Sequence, residues 1–558
     1  MAGEDFPPGF PRLLGLALRM PPAEALPSTD TPKLNLTPSD AGVGKPVQPP
    51  TEVYAIHGAD PEVLAYAMAK YSRSALTMKE SLAEISAQRA EQFLNTFYFQ
   101  YGHRSIADLA HIPFAIERLS LLAAIDLVDE QRWDGQERST RYQDFAKSGW
   151  TTPNFGEETP VFTAAVERLF EAYRQVGGGM LEALRRAIPR PEAMKPESYE
   201  RTLKARAFDV ARYLLPLATN TSLGQIVNAR TLETQVSRLL SSEYAEIRGL
   251  GEQLRAAAAG PAWNVQEVAA AGLLRELEAS ADPHAREAAE LLRRPIATAP
   301  TLVKYATSNP YQTKTRAALT QAAAELMGGA ALAAAPVVDL VKDGDSLEVE
   351  LLSSLLYPVC HYPYRQLRDV VAALPEARRN ELIALGAAER GRHDELLRPF
   401  HAGRGLRFDI LMDVGGFRDM HRHRRCTQLL QPWTDAHGYE EPVCPGQPTL
   451  ADAGLDTVYT DAMASALASY RALAAAQVPE APESARYLLP LGTRCRSLFT
   501  MDFAEAVYIA ELRSGPAGHF SYRRVAWEVF LAVQRNHPAL AELFRIEDVN
   551  EPVDLLRR

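Results

Sequence analysis

The sequence predicts an α+β chain in which one fold, a mixed sheet with long helices, is used twice. Two observations carry the doubling. The heptapeptide ARYLLPL occurs at 211–217 and again, unchanged, at 485–491, an offset of 274 in a chain of 558 residues. Each copy precedes a small polar stretch and a helical run, TNTSLGQIVNARTLETQVSRLL in one case and TRCRSLFTMDFAEAVYIAELR in the other. A tandem duplication explains both. A third observation sets the first fifty residues apart, because they hold 11 of the 39 prolines.

Taken in order, residues 1–50 read as a Pro-rich disordered tail. Its apolar patch, Leu14 to Leu18, follows Glu4, Asp5 and several prolines, which is not the pattern of a signal peptide. No run of about 18 apolar residues occurs, so no membrane span is expected and the chain is placed in the cytoplasm. From Thr51 the apolar spacing of PEVLAYAMAKYSRSALT and SLAEISAQRAEQFLNTFYF predicts amphipathic helices. The first domain is assigned to 51–280 and the second to 300–558, divided in the charged, Pro-interrupted stretch between 276 and 300.

Composition narrows the function. Sixty basic and 70 acidic residues give a net charge of −10, so no global field favours nucleic acid or an anionic membrane. Anionic ligands then need local arginine clusters, and 50 of the basic residues are arginine. The four cysteines, Cys360, Cys426, Cys444 and Cys495, show no C-x-x-C spacing and suit a reducing compartment. No Gly-x-Gly-x-x-Gly, P-loop, Gly-x-Ser-x-Gly or His-Glu-x-x-His motif is present.

Three arginine-bearing clusters remain. In Glu137-Arg138-Ser139-Thr140-Arg141-Tyr142, a hydroxyl, a guanidinium fork and loop amides are the groups that hold a phosphate monoester. The plain alternative is a solvated polar loop. The run His421-Arg422-His423-Arg424-Arg425-Cys426-Thr427 suits a pyrophosphate or a reduced anionic flavin, or else the solvated basic face of a helix. A metal site is not expected there, since His421 and His423 are two positions apart on a helix. The third cluster is the repeated arginine of ARYLLPL, Arg212 and Arg486, with Arg230, Arg238, Arg496 and Arg513 downstream. An arginine beside Leu-Leu-Pro-Leu is expected to be partly buried and therefore paired, either with a ligand or with internal carboxylates.

Together these clusters resemble the flavin-dependent thymidylate synthases (ThyX), once in each half. The first half keeps Gly102-His103, Phe114, Glu137/Ser139/Arg141/Tyr142, Arg212, Asn228-Ala229-Arg230 and Arg238, but reads Asp129-Glu130-Gln131 where the family has Arg-His-Arg. The second half keeps Arg422-His423-Arg424, Arg486, Arg496, Arg513 and His519. There the Glu-x-Ser-x-Arg-Tyr positions fall on Leu430, Pro432, Thr434 and Asp435, and Asn-x-Arg has become Asp502-Phe503-Ala504. Arg392-His393 is the best candidate for its Gly-His segment. The first half is thus a nucleotide-side half-site and the second a flavin-side half-site.

The resemblance implies the α+β fold of each half and the reductive methylation of dUMP to dTMP. FAD is the cofactor, and NADPH and methylenetetrahydrofolate are co-substrates. It assigns Glu137, Ser139, Arg141, Arg212 and Arg486 to dUMP. To FAD it assigns His103, Asn228, Arg230, Arg422, His423, Arg424 and His519, and to catalysis Arg422, His423, Arg424, Arg238 and Arg513. No metal is implied. Each half would supply what the other lost, in a homodimer that forms a pseudo-tetramer of four domains. A relative with altered or lost chemistry that still binds FAD or a nucleotide is the alternative, and an RNA-binding protein using His421–Arg425 a lesser one.

Overall fold

The computed structural model describes residues 54, 56, 58–70, 77–84, 104–265, 267, 270–341, 347–390, 397–401, 405–541 and 544–556. The proline-rich tail, Gly102-His103 and Arg392-His393 lie outside the described residues. The chain forms two compact units, one within 1–112, 227–234 and 253–306, the other within 113–226, 235–252 and 307–558. In the first, helix Pro61–Lys70 presents Glu62, whose carboxylate accepts the amides of Thr301 and Leu302 at 2.8 Å each. The stretch expected to divide the two halves contributes helix Pro283–Leu292 to this unit, started by an Asp282 side-chain cap and a proline at its first position.

The larger unit is mixed helix and sheet. Strands β1 (His111–Ser120), β2 (Asp134–Glu137) and β3 (Asn220–Asn228) form a sheet in the order β1-β3-β2. Strands β4 (Val338–Val341), β5 (Leu406–Asp413), β6 (Thr427–Leu430) and β7 (Arg494–Met501) form another in the order β4-β5-β7-β6. Without β4, the second order repeats the first. The registers repeat too, since Glu137 pairs with Leu223 and Leu430 with Ser497, and Leu223 and Ser497 are 274 positions apart. Leu430 therefore stands where the first half has Glu137.

Helices follow the same plan. Ser120 accepts from the Ala123 amide and caps α1 (Leu121–Leu127). The helix α2 (Thr159–Ala187) buries Phe162, Val166, Leu169, Tyr173, Val176, Met180 and Leu184, an apolar stripe at the helical repeat. It packs on α3 (Pro196–Ala211). After β3 comes α4 (Ala229–Leu240). In the second half Asp413 accepts from the Gly416 amide and caps α5 (Val414–Met420) as Ser120 caps α1. A Cβ on Gly416 would lie 2.4 Å from the Ser521 hydroxyl, so this turn admits no side chain. Helix α6 (Asp456–Ala474) packs against α2, and α7 (Phe503–Ser514) and α8 (Phe520–Asn536) follow β7.

The two ARYLLPL copies meet each other. Pro216 and Pro490 form an antiparallel bridge, and they are equivalent residues. Around it Leu217 N donates to Leu489 O and Leu491 N to Leu215 O, both at 2.9 Å. Farther out Ala218 N donates to Tyr487 O at 2.7 Å and Gly492 N to Tyr213 O at 2.9 Å. Every bond has a mate related by the repeat, so a local two-fold axis passes through the proline bridge.

Between the repeats, helices Pro310–Met327, Leu347–Leu356, Tyr364–Ala373 and Glu376–Leu385 enclose a core that includes Leu319, Leu352, Leu355, Tyr357, Tyr364 and Leu367. Asp409 on β5 ties this layer to the sheet. It accepts from the Tyr357 hydroxyl and the Tyr364 amide at 2.8 Å and from Arg496 at 3.0 Å. Among the described residues no helix is long and apolar enough to cross a membrane, and no cluster of three or more His, Cys, Asp or Glu could hold a metal ion.

Candidate functional site

The loop after β2 and the end of α5 come from different halves and meet. Arg418 on α5 forms a buried ion pair with Glu137 at the end of β2. Arg418 and Arg212 each reach the Thr140 hydroxyl at 3.5 Å. Arg212, 1% exposed, also donates to Asp419 at 3.1 and 3.2 Å. Burial pushes the Asp419 carboxyl up, but Arg212, Arg141 and Arg422 outweigh it and hold it at about 2. The Nε–H groups of Arg212 and Arg418 are buried with no acceptor among the described residues.

Arg141 lies in the same loop and is fully engaged. Its Nε and NH2 donate to Asp209 at 2.8 and 3.3 Å, NH1 to the Tyr522 hydroxyl at 2.8 Å and NH2 to Ala517 O at 3.2 Å. The Ser139 hydroxyl accepts the Arg141 amide at 3.2 Å and so shapes the turn. Asp209 also receives His519: its carbonyl oxygen is 2.9 Å from Nε2, while Nδ1 accepts the Ser521 amide and caps α8. Both ring nitrogens of His519 are thus used by the protein, with the proton on Nε2. Burial and then Arg212 keep this imidazole neutral.

Beyond α5 the chain presents Arg422, His423 and Arg424 in three different states. Arg422 is exposed and makes no hydrogen bond or ion pair with a described residue. His423 is buried, and its Nε2 accepts from Arg513 Nε at 2.8 Å. That bond requires a neutral ring with its proton on Nδ1, which faces Glu505 at 3.7 Å. Arg424 is turned away, donating to the main-chain oxygens of Val128 and Glu130 and stacking over Trp133 at 4.5 Å. Tyr522 joins the sets, since Arg141 bonds its hydroxyl and Arg513 lies 5.3 Å from its ring centre.

A related arrangement surrounds residues 126–130. Arg238 Nε donates to Glu130 at 3.0 Å, as Arg513 Nε does to His423, so Glu130 stands where the second half has histidine. Arg238 also pairs with Asp126, and Arg398 with Asp129. Asp126, Asp129, Arg238 and Arg398, with Phe417, His421, Gln428 and Trp433, line a cavity of about 260 Å³. Arg486, the mate of Arg212, pairs with Glu243 and donates to the Tyr244 hydroxyl at 2.9 Å. The structure thus groups Glu137, Ser139, Arg141 and Arg212 with Arg422, His423 and Arg513, and leaves Arg238, Arg424 and Arg486 around the second cluster. Asn228 and Arg230 lie where β3 passes into α4, in the stretch 227–234 that belongs to the smaller unit. There Asn228 caps α4 through the Thr231 amide at 2.8 Å, and Arg230 reaches Asp108 at 3.4 Å.

The family model for thymidylate synthase complementing protein matches residues 55–260 and 404–539, more than half of the chain and in two segments. The chain belongs to the thymidylate synthase complementing family. A UPF0159 protein of Chlamydia muridarum is 26% identical over 526 residues, covering 88% of this chain and 91% of that protein. One from Thermoplasma acidophilum is 24% identical over 530 residues, covering 87% and 95%. The flavin-dependent thymidylate synthase of Clostridium tetani is 25% identical over 201 residues, 35% of this chain and 76% of that enzyme. A solved structure, the ThyX of Helicobacter pylori complexed with FAD and dUMP, is 16% identical with a TM-score of 0.22, covering 36% of this chain and 89% of that one.

In this family member, sequence reasoning missed Arg418, Asp419, Asp209 and Tyr522. Arg418 had a signal, since it lies four positions before Arg422 in a helical stretch. The other three are set by contacts with residues 68 to 381 positions away.

His423 yields a pH prediction. Burial and then Arg513 lower its pKa to about 3, against about 6.5 for an unfolded histidine. Between those values the unfolded chain binds the extra proton, so stability falls as pH drops through that window. His423→Gln is expected to flatten the decline of Tm between about pH 6.5 and pH 4. A slope equal to wild type would refute the neutral, buried imidazole.

Proposed function

We propose that the chain is a flavin-dependent thymidylate synthase whose working site is shared by its two halves. The observation that supports this best is the meeting of Glu137, Thr140, Arg141 and Arg212 with Arg418, Asp419 and, through Tyr522, with Arg513, which bonds His423. One half keeps the motif for a nucleotide phosphate, the other the motif for a flavin, and the two lie together. The tandem domains 51–280 and 300–558, a homodimer acting as a pseudo-tetramer, and a cytoplasmic setting belong to the same reading.

The donor set fits anionic ligands. Arg422 is an exposed cation with no bonded partner among the described residues, and the orphan Nε–H groups of Arg212 and Arg418 gain an acceptor when a phosphate arrives. FAD, when bound and reduced by NADPH, would supply the hydride that turns the methylene group donated by methylenetetrahydrofolate into a methyl. The protein's part is positional and electrostatic. Arg212 and the Ser139 loop orient dUMP, Arg422 meets negative charge, and His423, kept neutral by burial, holds Arg513 beside Tyr522.

A second reading, a binding protein with altered chemistry, has its own support. Arg141 and Arg212 are already balanced by Asp209 and Asp419, so an incoming phosphate must displace or share those carboxylates. Assaying purified protein with dUMP, methylenetetrahydrofolate, FAD and NADPH separates the two. The expected result is dTMP formation, lowered about 10²–10³-fold by Arg422→Ala. Binding of flavin or dUMP without dTMP would select the second reading, and binding of neither would overturn both.

A further inference from the structure

The local two-fold axis generates two equivalent sites per chain, and they differ in charge. At the composite site Arg422 brings a positive charge and His423 a neutral ring, while Arg424 reaches across to the twin. At its mate the equivalent segment, Asp129-Glu130-Gln131, carries two negative charges. The equivalence is geometric, because Arg513 bonds His423 as Arg238 bonds Glu130.

We infer that each chain has one anion-accepting site, and that its twin is an internal ion-pair lock in which Asp126, Asp129 and Glu130 occupy the arginines a phosphate would otherwise meet. The inference rests on the proposed function only for what fills the composite site. At the twin, Arg398 grips both carboxylate oxygens of Asp129 and donates NH2 to its main-chain oxygen at 2.8 Å. Arg238 spans the carboxylates of Asp126 and Glu130 and donates to Asp126 O at 2.8 Å. Arg424 takes the main-chain oxygens of Val128 and Glu130, and His421 Nε2 lies 3.5 Å from Asp129. Arg316, on the cavity wall, donates to Ser241 O at 3.2 Å. Residue 129 is an aspartate, whereas Arg422 is an exposed cation with no bonded partner among the described residues.

The twin also lacks the phosphate loop. Leu430 stands at the place of Glu137, so Arg418's buried ion pair has no mate there. The carboxylates that do lie in the twin come from the first half, whereas Arg398, which binds Asp129, and Arg424, which takes the main-chain oxygens of Val128 and Glu130, come from the second. The lock therefore fastens the halves together at the place where a ligand would have bridged them.

The test counts inorganic pyrophosphate sites by calorimetry on the full chain. Wild type is expected to bind one per chain and Asp129→Asn/Glu130→Gln two, the second at least tenfold tighter than any wild-type binding at the twin. Two sites in wild type, or an unchanged count in a folded variant, would overturn the lock. None in wild type and one in the variant would keep the lock and overturn the proposed function. If the double variant does not fold, Asp129→Asn alone must create the second site, and its failure to do so overturns the inference.

Discussion

Arg418→Ala is expected to lower stability by about 3–5 kcal/mol, because it removes one partner of a buried ion pair and leaves the other behind. The side chains of Arg418 and Glu137 are only 6% and 11% exposed. Glu137 ends β2 and Arg418 lies on α5, so the pair joins a strand of one half to a helix of the other. Once Arg418 is gone, the largely buried Glu137 carboxylate loses its cation, and Thr140 loses a donor. The double variant Arg418→Met/Glu137→Gln removes both charges and should recover much of the loss. Urea midpoints for the three variants decide the matter. A midpoint unchanged by Arg418→Ala, or a double variant worse than the single, would refute this account.

Asp209→Asn is expected to cost a similar amount, about 3–5 kcal/mol, by leaving Arg141 as a buried and uncompensated cation. Asp209 is 2% exposed and takes two of the guanidinium's donors. Burial works against the charge on Arg141, and the Asp209 carboxylate overrides it, so the guanidinium binds its proton more tightly than usual. The substitution keeps the shape and the main-chain oxygen that receives His519, so the cap of α8 stays in place. The effect therefore isolates the charge. Thermal unfolding in low and high salt is the measurement, and a loss that salt reverses would point instead to an exposed pair. Arg141→Met/Asp209→Leu should be closer to wild type than either single change.

Much of this was legible in the chain because a duplication writes its own alignment. Counting forward from Arg422-His423-Arg424 places Leu430 at the position of Glu137, and the strand registers agree. The same reasoning put Asp129-Glu130 opposite Arg422-His423, which is where the two helix-ending arginines find them. The expectation that an arginine beside Leu-Leu-Pro-Leu must be paired also described Arg212, though not with which carboxylate. What was not legible is of a different kind. Asp419, Asp209 and Arg398 sit in no motif, and their roles come from partners 207, 68 and 269 positions away. The helical layer of 310–385 carries no chemical signature, only an Ala- and Leu-rich pattern that fits many helices. Local spacing reports faces and turns; it does not report which distant carboxylate neutralises a buried cation.

The proline bridge has a consequence for how such a protein can change. In an assembly of identical subunits every substitution is felt at all equivalent positions at once, so an acidic residue that spoils one pocket spoils every pocket. Carrying two copies in a single polypeptide, where Pro216 and Pro490 meet, ends that obligation. Residues 129–131 could become acidic while residues 422–424 stayed basic, because one gene now encodes the two places separately. The symmetric strap preserves the old geometry, and covalent linkage supplies the freedom to break its symmetry one side at a time.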